Sequence, residues 1–299
     1  KDVAVSDKYI ESITLEDALD GTGGLASNYE LPGLDVSNAP VTISTKEVSL
    51  SASRIYDGSE VLSDDDVLIT TGVGTETLSY SGATSSSKDV AVSGKYIDAI
   101  TLEDALDGTG GLASNYHLPS LDSLAAPVVI SPKTVGISAS KIYDAGVDLA
   151  GYVSLLTGVG SETLTYSGAV SSSKDVAVSG KYIDAIILED AMDGSGGLAS
   201  NYQLPVLDAS NAPVTIGAKT VGLSASRIYD GSDILSGTDV TITTGITGET
   251  LGYSGAVSSS KDVAVSDKYI ESITLEDALD GTGGLASNYE LPGLDVSNA

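Results

Sequence analysis

Leu102-Glu103-Asp104-Ala105-Leu106-Asp107-Gly108 is the stretch best equipped for chemistry. Coiled into a single helical turn, it would bring Glu103 and Asp107 to one side, with Asp104 adjacent. Hard oxygen ligands at a tight turn are what calcium uses, so calcium is the cation this cluster suggests. The same carboxylates recur as Glu16, Asp17 and Asp20, as Glu189, Asp190 and Asp193, and as Glu276, Asp277 and Asp280. The EF-hand spacing with its later Glu is missing, and so is any glycine-aspartate nonapeptide. Acidic residues at a helix start are also favoured by the dipole alone. Calcium ligation and a solvated acidic face therefore stand as two readings. The run Asp64-Asp65-Asp66 has no counterpart at Ala150-Gly151-Tyr152 or Gly237-Thr238-Asp239 and reads as a solvated loop.

Catalysis finds few reagents. The single histidine, His117, sits where the other copies carry Glu30, Gln203 and Glu290, so no repeated site depends on it. Serines are abundant, as in Ser85-Ser86-Ser87, but lack a repeated histidine base. With no cysteine there is no thiolate nucleophile, cysteine metal site or disulfide framework. Carboxylate pairs serve glycoside hydrolysis in other folds, but Phe and Trp are absent and only tyrosine remains to line a sugar cleft. A non-catalytic chain without a cofactor is expected, calcium being the one candidate ion.

These segments are positioned by a repeat. Lys1 to Ala39 recurs letter for letter as Lys261 to Ala299, and edited copies begin at Lys88 and Lys174. The spacing of 86 or 87 residues is too long for a solenoid unit and suits one small domain per copy. The identity of the two ends predicts a parent chain that extends in both directions, with Pro-Val and a β-branched strand following Ala299. Against 14 basic residues stand 42 acidic ones, a net charge of −28 spread along the array. Such a surface repels phosphate backbones and anionic headgroups, which argues against nucleic acid and membrane-surface partners. A hydrophobic content of 41% supports packed cores, and no apolar run approaches 18 residues.

Within a copy, apolar residues alternate with Ser and Thr in short runs broken by Gly, Ser, Asn or Asp, the period-two pattern of half-buried strands. Val48, Leu50 and Ala52 make one such run; Val67 and Ile69, Leu78 and Tyr80, and Val90 and Val92 make others. About seven short strands in some 86 residues predict an all-β chain, a tandem array of small immunoglobulin-like antiparallel β-sandwich domains. Val48, Leu50, Ile55, Tyr56, Ile69, Leu78, Tyr80, Val90, Val92, Ile100 and Leu102 are the expected core of one unit. Pro40, Pro127 and Pro213 each follow an Ala and precede a β-branched strand, which suits a linker entering a first strand. Domains are thus expected over 40–126, 127–212 and 213–299, with 1–39 forming the C-terminal half of a preceding repeat.

Ile55-Tyr56-Asp57-Gly58, Ile142-Tyr143-Asp144-Ala145 and Ile228-Tyr229-Asp230-Gly231, together with Asn115-Tyr116 and Asn201-Tyr202 before Leu-Pro, resemble the YDG repeat of large bacterial adhesins and haemagglutinin-like exoproteins. The resemblance covers the chain in three copies plus the leading fragment. It implies an extracellular, β-rich stalk module in a long array, with adhesive or anchoring functions elsewhere on the polypeptide. The triplet itself reads as a turn in which Asp caps through its side chain, Gly supplies positive φ, and Tyr buries its ring. Copy two departs from the motif at Ala145.

Uniform copies favour a structural stalk or spacer whose partners are its own neighbouring repeats. Two alternatives remain: a filament in which the half domain 1–39 completes another copy by strand addition, and a weak multivalent binder of glycans or a surface ligand.

Overall fold

The computed structural model describes residues 1–63, 65–106, 108–279 and 281–299. The described residues are all-β, with short 3-10 turns such as Ala113–Asn115 and no α-helix. They divide into two compact units, Lys1–Pro132 and Lys133–Ala299. None has a helix long and apolar enough to cross a membrane.

In the first unit Ser49–Ile55 is the middle strand of a three-stranded sheet. Its even-numbered residues Leu50 and Ala52 are buried, and the pattern continues to Val48 before the strand and Tyr56 after it. Ile55 is out of phase and points outward. With a side-chain period of two, Ile55 and Tyr56 cannot both enter one core. Val67–Thr70 pairs antiparallel on one edge, Leu50 facing Ile69. On the other edge Val128–Ser131 runs parallel, with Ala52 opposite Val128 and Ile55 opposite Ser131. A hairpin, Ser79–Ser85 with Ile97–Glu103, supplies Ala83, Ile97 and Ile100 to the buried set.

This pairing differs from the expected one in two ways. The sheet is mixed rather than antiparallel throughout, and the strand after Pro127 completes the sheet of the repeat that precedes it. A parallel partner needs a long crossover, which the intervening hairpin provides. Of the expected core, Val48, Leu50, Tyr56 and Ile100 are buried, and Ile69, Leu78, Tyr80, Val90 and Leu102 are half-buried. Val92 is exposed because Asp89–Gly94 is a turn rather than a strand: the buried Lys95 folds back so that its Nζ donates to the Val90 and Val92 carbonyls at 3.1 and 2.6 Å.

The second unit contains the same arrangement and then a variant of it. Gly136–Ile142 lies between antiparallel Val153–Leu156 and parallel Val214–Gly217, and Thr165–Ser171 pairs with Ile183–Glu189. The last repeat keeps its hairpin, Gly252–Ser258 with Ile270–Glu276, over a cluster of Leu235, Val240, Ala256, Ile270 and Ile273. Among the described residues its sheet has two strands, Gly222–Ala225 and Val240–Thr243.

The two identical 39-residue segments adopt different states. In the C-terminal copy Ile270 and Tyr289 are 1% and 6% exposed; in the N-terminal copy Ile10 and Tyr29 are 37% and 68% exposed, and no strand forms over 11–16. The sequence is constant, so the partner decides: Ile270–Glu276 pairs with Gly252–Ser258, whereas among the described residues no strand pairs with 11–16.

Candidate functional site at the junction between repeats

The Tyr-Asp-Gly triplet is the local device that aims a tyrosine out of one repeat. Asp57, Asp144 and Asp230 each accept, through Oδ1, the backbone N–H two residues on at 2.9 Å. The residue between has positive φ: 84° at Gly58, 65° at Ala145 and 84° at Gly231. Ala145 thus holds the turn that glycine makes elsewhere, in the left-handed region that costs a Cβ-bearing residue about 1–2 kcal/mol. A cation three residues before the aspartate fastens each turn. Arg54 pairs with Asp57 and Arg227 with Asp230, while the buried Lys141 donates to Asp144 Oδ1 at 2.7 Å and to the Gly146 and Asp148 carbonyls at 2.8 and 2.9 Å. Burial raises the Asp144 pKa, but the Lys141 hydrogen bond and the Gly146 N–H outweigh it and leave the carboxyl below its ordinary value.

The tyrosine so placed meets a carboxylate of the next repeat. Tyr143, 1% exposed, donates to Glu249 at 2.9 Å (Oε1) and 3.2 Å (Oε2). Tyr289 donates to Glu249 Oε2 at 2.6 Å, and the two rings meet edge to face at 5.4 Å. Lys174 Nζ lies 3.8 Å from Glu249 Oε1. Beside this group the fully buried Asn288 accepts the Val176 N–H at 2.8 Å and donates to Asp175 Oδ1 at 2.9 Å. Both phenols are hard to ionise: burial, then the hydrogen bond to Glu249 and its charge, push Tyr143 up to about 12 and Tyr289 further. Phenols held neutral in this way are locking groups, the reverse of an activated nucleophile.

The first unit repeats the lock with the leading fragment in place of a whole repeat. Val3 N–H donates to Asn115 Oδ1 at 2.7 Å, Asn115 Nδ2 donates to Asp2 Oδ1 at 3.1 Å, and Lys1 Nζ lies 3.6 Å from Glu76. Tyr116 donates to Glu76 Oε2 at 2.7 Å, and its pKa is raised by burial and by that bond.

The predicted calcium ligands are held in hairpin ends and loops. Glu103, Glu189 and Glu276 are the last residues of strands, so the expected helical turn does not form. Asp104, Asp190 and Asp277 each cap a 3-10 turn nine residues on, accepting the N–H of Ala113, Ala199 and Ala286 at 2.8, 2.7 and 2.8 Å, and Asp17 does the same for Ala26 at 2.7 Å. Asp193 accepts from the Thr163 hydroxyl at 2.6 Å and the Ser195 N–H at 2.9 Å, which lower its pKa to about 2. Asp20 likewise takes the Thr22 hydroxyl and N–H. Asp107 and Asp280 lie outside the described residues, as does Asp64 of the other acidic run. Among the described residues no three His, Cys, Asp or Glu side chains gather as a metal site. His117 sits exposed, Nδ1 3.0 Å from the Thr45 hydroxyl and Nε2 3.6 Å from Glu47.

No protein-family model, curated protein or solved structure matches the chain. The residues that build the junction were present in the sequence as invariants of the edited copies. Glu76, Glu162 and Glu249 precede a Thr-Leu or Thr-Leu-Gly start of the hairpin, and Lys-Asp-Val opens every block. Their signal was recurrence without an obvious local role.

Proposed function

We propose that this chain is a load-bearing segment of the non-catalytic stalk of a secreted bacterial adhesin or extracellular matrix fibre, built from immunoglobulin-like β-sandwich repeats. The observation that carries the reading is interlocking: within Lys133–Ala299 the strand Val214–Gly217 is part of the preceding repeat's sheet, and the Tyr143–Glu249 contact ties the same two repeats. A linker that merely tethers domains needs neither. The resemblance of the Tyr-Asp-Gly blocks to adhesin repeats and the strongly acidic surface, which resists non-specific association, point the same way.

Stretching the intact chain by its ends tests this. A stalk of interlocked repeats extends in abrupt events, each releasing on the order of 300 Å for a repeat of this length at about 3.5 Å per residue. Smooth extension at low force, with no such steps, would overturn the load-bearing role.

A further inference from the structure

Two sheet faces stand apart from the rest of this acidic surface. In the three-stranded sheets built around Ser49–Ile55 and Gly136–Ile142, every second residue turns away from the core. The first sheet shows Ser49, Ser53, Ile55, Leu68, Thr70 and Val129 to solvent, and the second Ser138, Ser140, Ile142, Ser154, Leu156 and Thr215. Among the described residues no outward strand position of either sheet is charged, although 19% of the chain is. The hairpins differ: Ile97–Glu103 exposes Asp98 and Glu103, and Ile183–Glu189 exposes Asp184. Charge at the border of the faces is paired or missing. Asp66, next to Val67, lies 3.7 Å from Arg54, and the matching position of the second copy is Tyr152.

The same faces carry large aliphatic side chains. Ile55, Leu68, Val129, Ile142 and Leu156 are 58–69% exposed. Each stands opposite a small residue of the neighbouring strand: Leu68 opposite Ser51, Val129 opposite Ser53, Ile55 opposite Ser131, Leu156 opposite Gly136 and Ile142 opposite Gly217. No cross-strand neighbour of equal size covers them, so they project from low ground. An outward Leu or Ile gives a strand little that Thr would not, and several of them grouped on a charge-free face mark a contact surface.

We propose that these two faces pack against the same faces of a second copy of this chain, sheet on sheet, holding chains side by side. Charge selects that occupant. Two chains of net charge −28 repel wherever their carboxylates meet, and approach is least opposed where both surfaces carry none. A cationic partner would be drawn instead to the hairpin carboxylates, and a sugar chain finds no aromatic ring within these strands. Sheets packed face to face leave about 10 Å between them, room for Leu and Ile from both sides. Area sets the strength. Three strands about 4.8 Å apart and four residues of about 3.3 Å give each face roughly 190 Å², so two faces give roughly 380 Å². A stable pair needs about 800 Å² per partner, which makes contact between two isolated chains weak and contact between many chains displayed together strong. The inference goes beyond the stalk reading, since it concerns the surface through which chains meet and not the load that each bears.

The test displays the intact chain on beads through an N-terminal biotin, which sets many copies side by side. Raising sodium chloride to about 0.5 M screens the carboxylates, and the beads are expected to cluster as it rises. Leu68→Asp with Leu156→Asp should slow clustering roughly tenfold or more, because loss of one buried Leu is enough for that factor. Thr101→Asp with Ile187→Asp adds the same charge to the hairpins and should leave the rate within about twofold. Beads carrying Leu68→Lys with Leu156→Lys should cluster with beads carrying the Asp pair faster than either does alone. Ser53→Asp with Ser140→Asp charges the faces and keeps every aliphatic residue, so the test stands if the Leu variants misfold. Beads that stay dispersed at every salt concentration overturn the proposal, as does equal slowing by the hairpin pair. Retention of the chain on cellulose that the face variants lose, with beads still dispersed, overturns the second copy as occupant and gives the faces to a neutral polymer.

Discussion

Replacing Glu249 by alanine is expected to cost about 3–5 kcal/mol. Its carboxylate is the shared acceptor for two buried phenols, Tyr143 from the preceding repeat and Tyr289 from its own. A hydrogen bond to a charged group contributes about 1.5–3 kcal/mol when one partner is removed and the other stays buried. Two such bonds dominate the sum, because the partly exposed Lys174, 3.8 Å away, adds under about 1 kcal/mol. For a unit of this size that is a fall in melting temperature of roughly 6–20 °C. Denaturation followed by urea and by heat measures it, and the curve is expected to broaden as the last two repeats lose their coupling. Glu249→Gln separates charge from shape: it keeps an acceptor, so the loss is smaller, about 1–2 kcal/mol. Burial still raises the Tyr143 pKa, but with the charge gone it falls from about 12 toward its ordinary 10.0. Tyrosinate absorbance reads that shift directly. A Glu249→Ala chain that melts within about 1 kcal/mol of the parent would refute the account of the junction.

Four further outcomes follow from the same geometry. Because the Tyr143 pKa is raised in the folded chain, its contribution is complete below pH 10 and is lost as pH climbs toward about 12; urea midpoints that stay flat over that window would contradict it. Asn288→Ala should cost about 2–3 kcal/mol by stranding the Val176 N–H and Asp175, whereas Asn28→Ala, in the same sequence but exposed, should fall within about 0.5 kcal/mol of zero. Ala145→Gly should stabilise by about 0.5–1 kcal/mol by relieving the positive φ, and an unchanged or lower urea midpoint would count against strain at that turn. Calcium should raise the melting temperature no more than matched magnesium, because Asp104, Asp190 and Asp277 already spend an oxygen on a backbone N–H; a calcium-specific rise would restore the ion to these loops.

What the sequence made legible was local. Alternation at Val48, Leu50 and Tyr56 and the turn chemistry of Tyr-Asp-Gly are written in residue types that act over a few positions, and they reappear in the structure. Pairing was not legible. Pro127-Val128-Val129-Ile130 reads as a strand either way, and nothing within it says whether it opens its own repeat or closes the previous one. The duplicated 39 residues make the limit concrete: Ile10 and Ile270 share every near neighbour in sequence, yet only one is in a core. The Lys95 turn was missed for a related reason. Val-Ala-Val-Ser alternates like a strand, and the lysine that collects its carbonyls lies just past the pattern.

The strand that closes each sheet also sets the order of events during synthesis. Ser49–Ile55 emerges from the ribosome long before Val128–Ser131, the partner that completes its sheet. Chains made from the N-terminus therefore carry one unfinished repeat at the growing end, sealed only when the next has begun. Folding along such an array advances in register with elongation, one step behind it, and the most recently made edge is always the one ready to accept a strand.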